Sequence, residues 1–323
     1  IASVQGAYGQ QRTVASGGMS LRPELAAEAR AREAESAATL AFLGEILYAG
    51  DPAKKEGLDY CRSAAELADR GDFRAAIREA SKALFLGQKN RRPVLVAHAY
   101  RDLATVYLLA GAPDIAISHA NAALKEYRAF PVEWTRDSRL RGFKAQVLKV
   151  LGDARLRQGA PAEAIGYYAD ALDADPGALA TLLRVAISNA HLAMGEPAKA
   201  RQALDKVSGD DARVKSLIAR AAANIAMAER NYAKASDLFE QSIQANAGVN
   251  RAYERLWSQA GLAEARALNG DRSNAIAAYR QAMDTADLLR GAFESFAVKA
   301  GFLDQTQVVF EKAVGLLFDA GLG

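Results

Sequence analysis

The sequence predicts an all-α fold made of repeated helical hairpins. Only 8 of the 323 residues are proline and alanine is abundant, so helix propensity is favourable along nearly the whole chain. Runs of β-branched residues long enough to form a strand are almost absent. A motif with glycine at a turn and alanine in the following helix recurs from residue 71 onward. Together, these observations favour a solenoid in which each hairpin packs against its neighbours.

Composition divides the first part of the chain into two segments. Residues 1–20 mix glycine, serine and glutamine without a period, which predicts a flexible arm. Residues 21–56 are rich in alanine, glutamate, arginine and leucine, and Pro23 suits a first helical position, so we expect leading helices there. The chain begins with Ile1 and not with methionine. The sequence therefore leaves the compartment open between the cytoplasm and, if a signal peptide was removed, the periplasm.

Six copies of the repeated motif are predicted within residues 57–290. The first alanine of each second helix marks the copy: Ala76, Ala116, Ala164, Ala200, Ala235 and Ala275. Successive markers are 40, 48, 36, 35 and 40 residues apart. The longer intervals predict insertions after the second helices, where a loop can absorb them, and the longest insertion spans residues 129–143.

The copy around Ala164 shows the alternation of small and large side chains most fully. Its other members are Leu148, Leu151, Gly152, Gly159, Tyr168, Ala171 and Pro176. This pattern resembles the tetratricopeptide repeat (TPR), whose ideal period is about 34 residues. The resemblance implies a right-handed TPR-type helical-hairpin solenoid that serves as a protein-binding scaffold. An unrelated helical repeat of the HEAT type is the alternative.

The C-terminal segment, residues 291–323, is predicted to form further helices. Residues 286–321, with Phe302 and Leu303, resemble the segment that joins TPR arrays to the caspase-like CHAT peptidase domain. This resemblance implies a bacterial protein in which the array is the sensor or regulatory part. The family's catalytic histidine and cysteine would then belong to a following domain, so no residue of this chain inherits a catalytic role.

The sequence offers no pattern for catalysis, metal binding or a cofactor. Phosphate loops, dinucleotide fingerprints, HExxH helices and paired CxxC motifs do not occur. His98, His119 and His191 fall in three different repeats, and no two share a spacing that places them on one helix face. The single cysteine, Cys61, has no local histidine to activate it. We therefore predict a protein that is not an enzyme and needs no cofactor.

The charge pattern offers a second, weaker alternative. A net charge of +3 and a pI of about 8.9 are too mildly basic for a dedicated nucleic-acid binder. Residues 133–149 nevertheless combine Trp134 with five cations, which could bind nucleic-acid phosphates: Arg136, Arg139, Arg141, Lys144 and Lys149. No apolar run reaches the roughly 18 residues that a membrane span requires.

In TPR arrays the first helices line a concave groove where partners bind. In this register, the groove residues would be His98, Arg101, Thr105, Lys149, Asp153, Arg157, Asn189, Arg220, Asn224, Met227, Trp257 and Glu264. Arg101, Lys149 and Arg220 occupy equivalent positions, so we expect a row of cations that binds an acidic or extended peptide, or a partner domain. Arg220 with Asn224 resembles half of a two-sided carboxylate clamp, but Gly261 does not complete it. An apolar end after Leu317 would favour self-association.

Overall fold

The computed structural model describes residues 52–130, 138–177, 179–205, 207–209, 211–247, 251–290 and 296–319. These residues form thirteen helices and no strand. The helices are α1 (Pro52–Arg70), α2 (Phe73–Lys89), α3 (Pro93–Leu109), α4 (Pro113–Arg128), α5 (Ser138–Arg157), α6 (Pro161–Ala174), α7 (Ala180–Ala193), α8 (Pro197–Leu204), α9 (Ala212–Ala228), α10 (Tyr232–Ala245), α11 (Ala252–Leu268), α12 (Arg272–Arg290) and α13 (Phe296–Asp319). The predicted arm at residues 1–20 and the leading segment up to residue 51 lie outside the described residues.

The first twelve helices pack as six consecutive hairpins. Each odd-numbered helix makes its main contact with the even-numbered helix that follows, and each hairpin also packs against the next. Helix α13 packs on α12 and touches α11. The all-α solenoid of helical hairpins predicted from the sequence is therefore confirmed. The division of the whole chain into an arm, leading helices, six repeats and C-terminal helices stays a prediction.

The conformation of the hairpin turns explains why glycine recurs in the motif. Gly71 in the first turn has φ +87°, and glycine is the residue that tolerates this left-handed conformation at little cost. The fifth turn differs from this motif, because Arg230 and not a glycine adopts the positive φ of +59° there. Asn231 next to it then caps α10 by accepting a hydrogen bond from the backbone N–H of Lys234.

Small residues at the helix crossings allow the hairpins to close. All six marker alanines, from Ala76 to Ala275, have no exposed surface. In the third hairpin, a Cβ added to Gly152 would lie 2.4 Å from Cε1 of Tyr168. A Cβ on Gly261 would meet the Phe239 ring at 2.3 Å. The aromatic side chains therefore fill space that the glycines leave open, which is the close packing expected of a protein interior.

The first hairpin also contacts the sixth. The turn at Gly71 lies against the side chain of Leu289 at the end of α12. The rings of Phe73 and Tyr253 meet edge to face with centroids 6.4 Å apart. Nη2 of Arg251 lies 3.9 Å from Oδ2 of Asp69. One hydrophobic core consequently includes residues of both hairpins, and it brings the first helices of distant repeats close together.

Candidate functional site

The twelve predicted groove residues all lie on first helices of hairpins. Helix α3 carries three of them, α5 three, α7 one, α9 three and α11 two. Their surroundings differ sharply between the two halves of the array. The residues on α3 and α5 make internal contacts, whereas most of those on α7, α9 and α11 line a cavity.

Two of the three aligned cations are already paired within the chain. Nε and Nη2 of Arg101 donate to Oδ1 of Asp102 at 2.9 and 2.6 Å, and its Nη1 donates to Oε1 of Gln146 at 2.9 Å. Nζ of Lys149 donates to Oδ2 of Asp153 at 2.6 Å. These carboxylates offset the positive charge that a partner's acidic group would otherwise meet.

Other predicted groove residues on these helices also serve the fold. Thr105 Oγ1 donates to the backbone carbonyl of Arg101 at 3.0 Å. The His98 ring packs edge to face on Phe143, with centroids 5.0 Å apart. Burial, with the nearby positive charge of Arg101, lowers the pKa of His98 to about 3. His98 is therefore a neutral packing residue at physiological pH.

Arg157 crosses from the third hairpin to the sixth. Its Nη2 donates to the Tyr253 hydroxyl at 2.5 Å, and its guanidinium lies 5.6 Å from the centre of the Tyr253 ring. Its Nη1 donates to the backbone carbonyl of Leu108 at the end of α3. A single side chain thus connects α3, α5 and α11.

A cavity of about 360 Å³ lies between the first helices of the last three hairpins and α13. We call it the Arg220 pocket. Its lining includes five of the predicted groove residues: Asn189, Arg220, Asn224, Trp257 and Glu264. Ala260, Gly261, Tyr279, Val308, Val309 and Lys312 complete the lining. Met227, on the same face of α9, instead packs against the hydrophobic core.

Arg220 differs from the other aligned cations because it makes no hydrogen bond or ion pair with any described residue. Burial lowers the pKa of its guanidinium, although the carboxylate of Glu254 partly offsets this effect. An arginine nevertheless stays protonated in proteins. Asn189, on the neighbouring helix, has a buried Oδ1 without a hydrogen-bond partner among the described residues. The pocket therefore contains a guanidinium and an amide oxygen that make no hydrogen bond with a described residue.

Residues 155–225 match the family model of the tetratricopeptide repeat. Residues 155–225 thus carry the tetratricopeptide pattern. The match runs from the end of α5 into α9 and so includes Asn189 and Arg220. A search of curated proteins found no match. Among solved structures, the chain is similar to the "TPR2AB-domain:pHSP90-complex of yeast Sti1", with 17% identity, a TM-score of 0.30, and coverage of 82% of this chain and 98% of that chain.

Helix α13 supplies the part of the Arg220 pocket that the sequence did not reveal. Nζ of Lys312 donates to Oε1 of Glu264 at 2.5 Å, which ties α13 to α11. Val308 and Val309 of the same helix line the cavity. The signal in the sequence was the spacing of Phe302, Thr306, Val309 and Ala313, which indicates one buried helix face and is buried in the structure. The CHAT resemblance of residues 286–321 stays a prediction.

The described part of the chain contains no arrangement suited to metal binding. No group of three or more histidine, cysteine, aspartate or glutamate side chains converges within it. Cys61 is buried, and burial together with the nearby Asp102 raises the pKa of its thiol. The thiol is therefore protonated at neutral pH and a poor nucleophile.

The basic stretch at residues 133–149 is only partly described. Trp134 and Arg136 lie outside the described residues. Within the described part, Arg141 is exposed, Lys144 is partly buried and Lys149 is paired with Asp153. Across the described ranges, none of the helices has the length and apolar character needed to span a bilayer.

Proposed function

We propose that this chain is a protein-interaction scaffold that binds an acidic group of a protein or peptide partner at Arg220. The observation that supports the proposal most directly is the position of this cation. It lines a cavity between first helices of the array and α13, and it makes no hydrogen bond or ion pair with a described residue, although the Glu254 carboxylate is near enough to interact with it electrostatically. The chain's own role is thus binding and not catalysis.

The chemistry of Arg220 favours a carboxylate as the bound group. A guanidinium presents five N–H donors in a planar fork that matches the two oxygens of a carboxylate. Such hydrogen bonds are charge-assisted and stronger than neutral ones. Because Arg220 is partly buried and makes no ion pair with a described residue, an incoming anion would also offset part of its desolvation.

Of the three aligned cations expected from the sequence, we assign one to partner binding. Arg101 and Lys149 already donate to Asp102 and Asp153. A partner carboxylate would have to displace these internal acceptors, so its net gain there would be small. We therefore assign Arg101 and Lys149 to the stability of α3 and α5, and Arg220 to binding.

The test uses a library of short peptides with acetylated and amidated ends, each made in a glutamate form and a glutamine form. We expect the wild-type chain to bind a subset in the glutamate form only. Arg220→Met should weaken those complexes about tenfold or more, which corresponds to about 1.4 kcal/mol. Arg280→Met is the matched control, because Arg280 is exposed on α12 and does not line the pocket. A glutamate preference that survives in Arg220→Met would disprove the assignment.

A further inference from the structure

The lining of the Arg220 pocket combines polar and apolar side chains. The polar ones include Arg220 and the amides of Asn189 and Asn224. The apolar ones include Val308, Val309 and the rings of Trp257 and Tyr279. A ligand that only supplied a carboxylate would leave these apolar side chains in contact with water. The cavity is thus suited to a ligand that brings a carboxylate and an apolar group together.

The charges around the cavity can neutralise one bound anion but not two. Lys312 also lines the cavity, but its ammonium donates to Glu264. The Glu264 carboxylate lies in the same lining and would repel a second negative charge close to it. Arg220 is the lining cation that has no ion pair with a described residue.

The size of the cavity limits the ligand further. About 360 Å³ is near the lower end of the range of roughly 300 to 1,000 Å³ that ligand pockets occupy. It can hold one or two side chains and not a folded element. Helix α13 closes one side, where the ion pair of Lys312 with Glu264 ties it to α11.

We infer that the pocket recognises one acidic side chain together with a large apolar side chain next to it in a partner peptide, and that α13 is part of the recognition surface. The inference rests on the proposed function, since it takes Arg220 as the anchor for the carboxylate. It differs from binding of a chain end, where a terminal carboxylate and an acidic side chain would present two charges together.

The first test varies the peptide. The reference probe is a peptide of leucine followed by glutamate between glycines, with both ends capped, so that the glutamate is its one carboxylate. One analogue replaces leucine by alanine, a second replaces glutamate by glutamine, and a third adds a second glutamate. Binding is measured through Trp257 fluorescence in a Trp134→Phe chain, because the protein has two tryptophans. We expect the first two analogues to bind about tenfold more weakly, or about 1.4 kcal/mol each, and the third to gain nothing.

The second test varies α13. Val308 lines the pocket and its residue is 45% exposed, so Val308→Asp places a negative charge on the pocket wall at little cost to folding. Val314 lies on the same helix, is 60% exposed and does not line the pocket, which makes Val314→Asp the matched control. We expect Val308→Asp to weaken binding of the reference probe about tenfold and Val314→Asp to leave it unchanged.

The outcomes separate this inference from the proposed function. If binding depends on glutamate and on Arg220 but not on the leucine or on Val308→Asp, the inference fails and the proposed function stands. If the second glutamate strengthens binding about tenfold or more, the pocket accepts two charges and the inference also fails. If no probe shows a glutamate preference that depends on Arg220, both fail.

Discussion

Nη2 of Arg157 donates a hydrogen bond to the Tyr253 hydroxyl at 2.5 Å, although 96 positions separate the two residues in the sequence. The bond joins α5 of the third hairpin to α11 of the sixth. In a simple solenoid each repeat contacts only its neighbours. Here the third and sixth hairpins are instead bridged by a side chain that the sequence predicted to face a binding partner.

The bridge predicts a measurable loss of stability when its acceptor is removed. Tyr253→Phe should lower the free energy of unfolding in urea by about 1 kcal/mol, because one hydrogen bond to a charged donor is lost. A double-mutant cycle with Arg157→Met should show coupling of at least about 0.5 kcal/mol. Tyr100→Phe is the control, since the Tyr100 hydroxyl makes no hydrogen bond with a described residue. A coupling energy of zero would show that the bridge contributes nothing.

Two glycines of the third hairpin provide a matched test of the small-residue packing. Gly152→Ala should lower stability by about 1 to 3 kcal/mol, because its Cβ would lie 2.4 Å from Cε1 of Tyr168. Gly166→Ala should instead raise stability by up to about 1 kcal/mol, because Gly166 lies within α6 and nothing lies within 4 Å of its added Cβ. Thermal unfolding of both variants measures the difference. Equal effects of the same sign would contradict the packing described for Tyr168.

Replacing Arg220 should not destabilise the free protein. Arg220→Met removes a partly buried cation that has no ion pair with a described residue, and it keeps most of the side-chain volume. We expect stability to be unchanged or to rise by about 1 kcal/mol, measured by urea unfolding. By comparison, Lys149→Met breaks the ion pair with Asp153 and should be mildly destabilising. A large loss of stability in Arg220→Met would mean that this residue supports the fold and is not available to bind a ligand.

Burial of His98 predicts how stability depends on pH. The folded pKa is about 3, below the value of about 6.5 expected in the unfolded chain. Between these values the unfolded state binds a proton that the native state does not bind. His98 therefore makes the protein less stable as pH falls from about 6.5 towards 3, with a slope of up to about 1.4 kcal/mol per pH unit. His98→Gln should flatten the pH profile in that window, and identical profiles would refute the assignment.

The fold could be predicted from sequence because it depends on local patterns. Glycine at the turns and alanine in the second helices recur within short windows, and these patterns correctly identified the hairpins. The same register placed all twelve groove residues on first helices. The contacts that decide their roles were not predictable in this way. Arg101 pairs with its neighbour Asp102, although adjacent residues in a helix do not normally face each other.

The pocket was predicted only in part because its walls come from distant segments. Asn189, Arg220 and Trp257 follow from the register of the first helices, but Lys312 lies on a helix that folds back on α11. Where such a helix ends up depends on the small rotation from one hairpin to the next, summed over the array. Spacings of 35 to 48 residues between marker alanines do not fix that rotation.

The contact of the Gly71 turn with Leu289 has a consequence for how the chain folds. A linear array with only neighbour contacts can fray from its ends one repeat at a time, and its folding can start anywhere and spread. A contact between the first and sixth hairpins joins segments that are far apart in the sequence, so opening either hairpin would disrupt the hydrophobic core that both share. The array should therefore unfold in a single cooperative transition, and the loop closure that it requires should slow its folding.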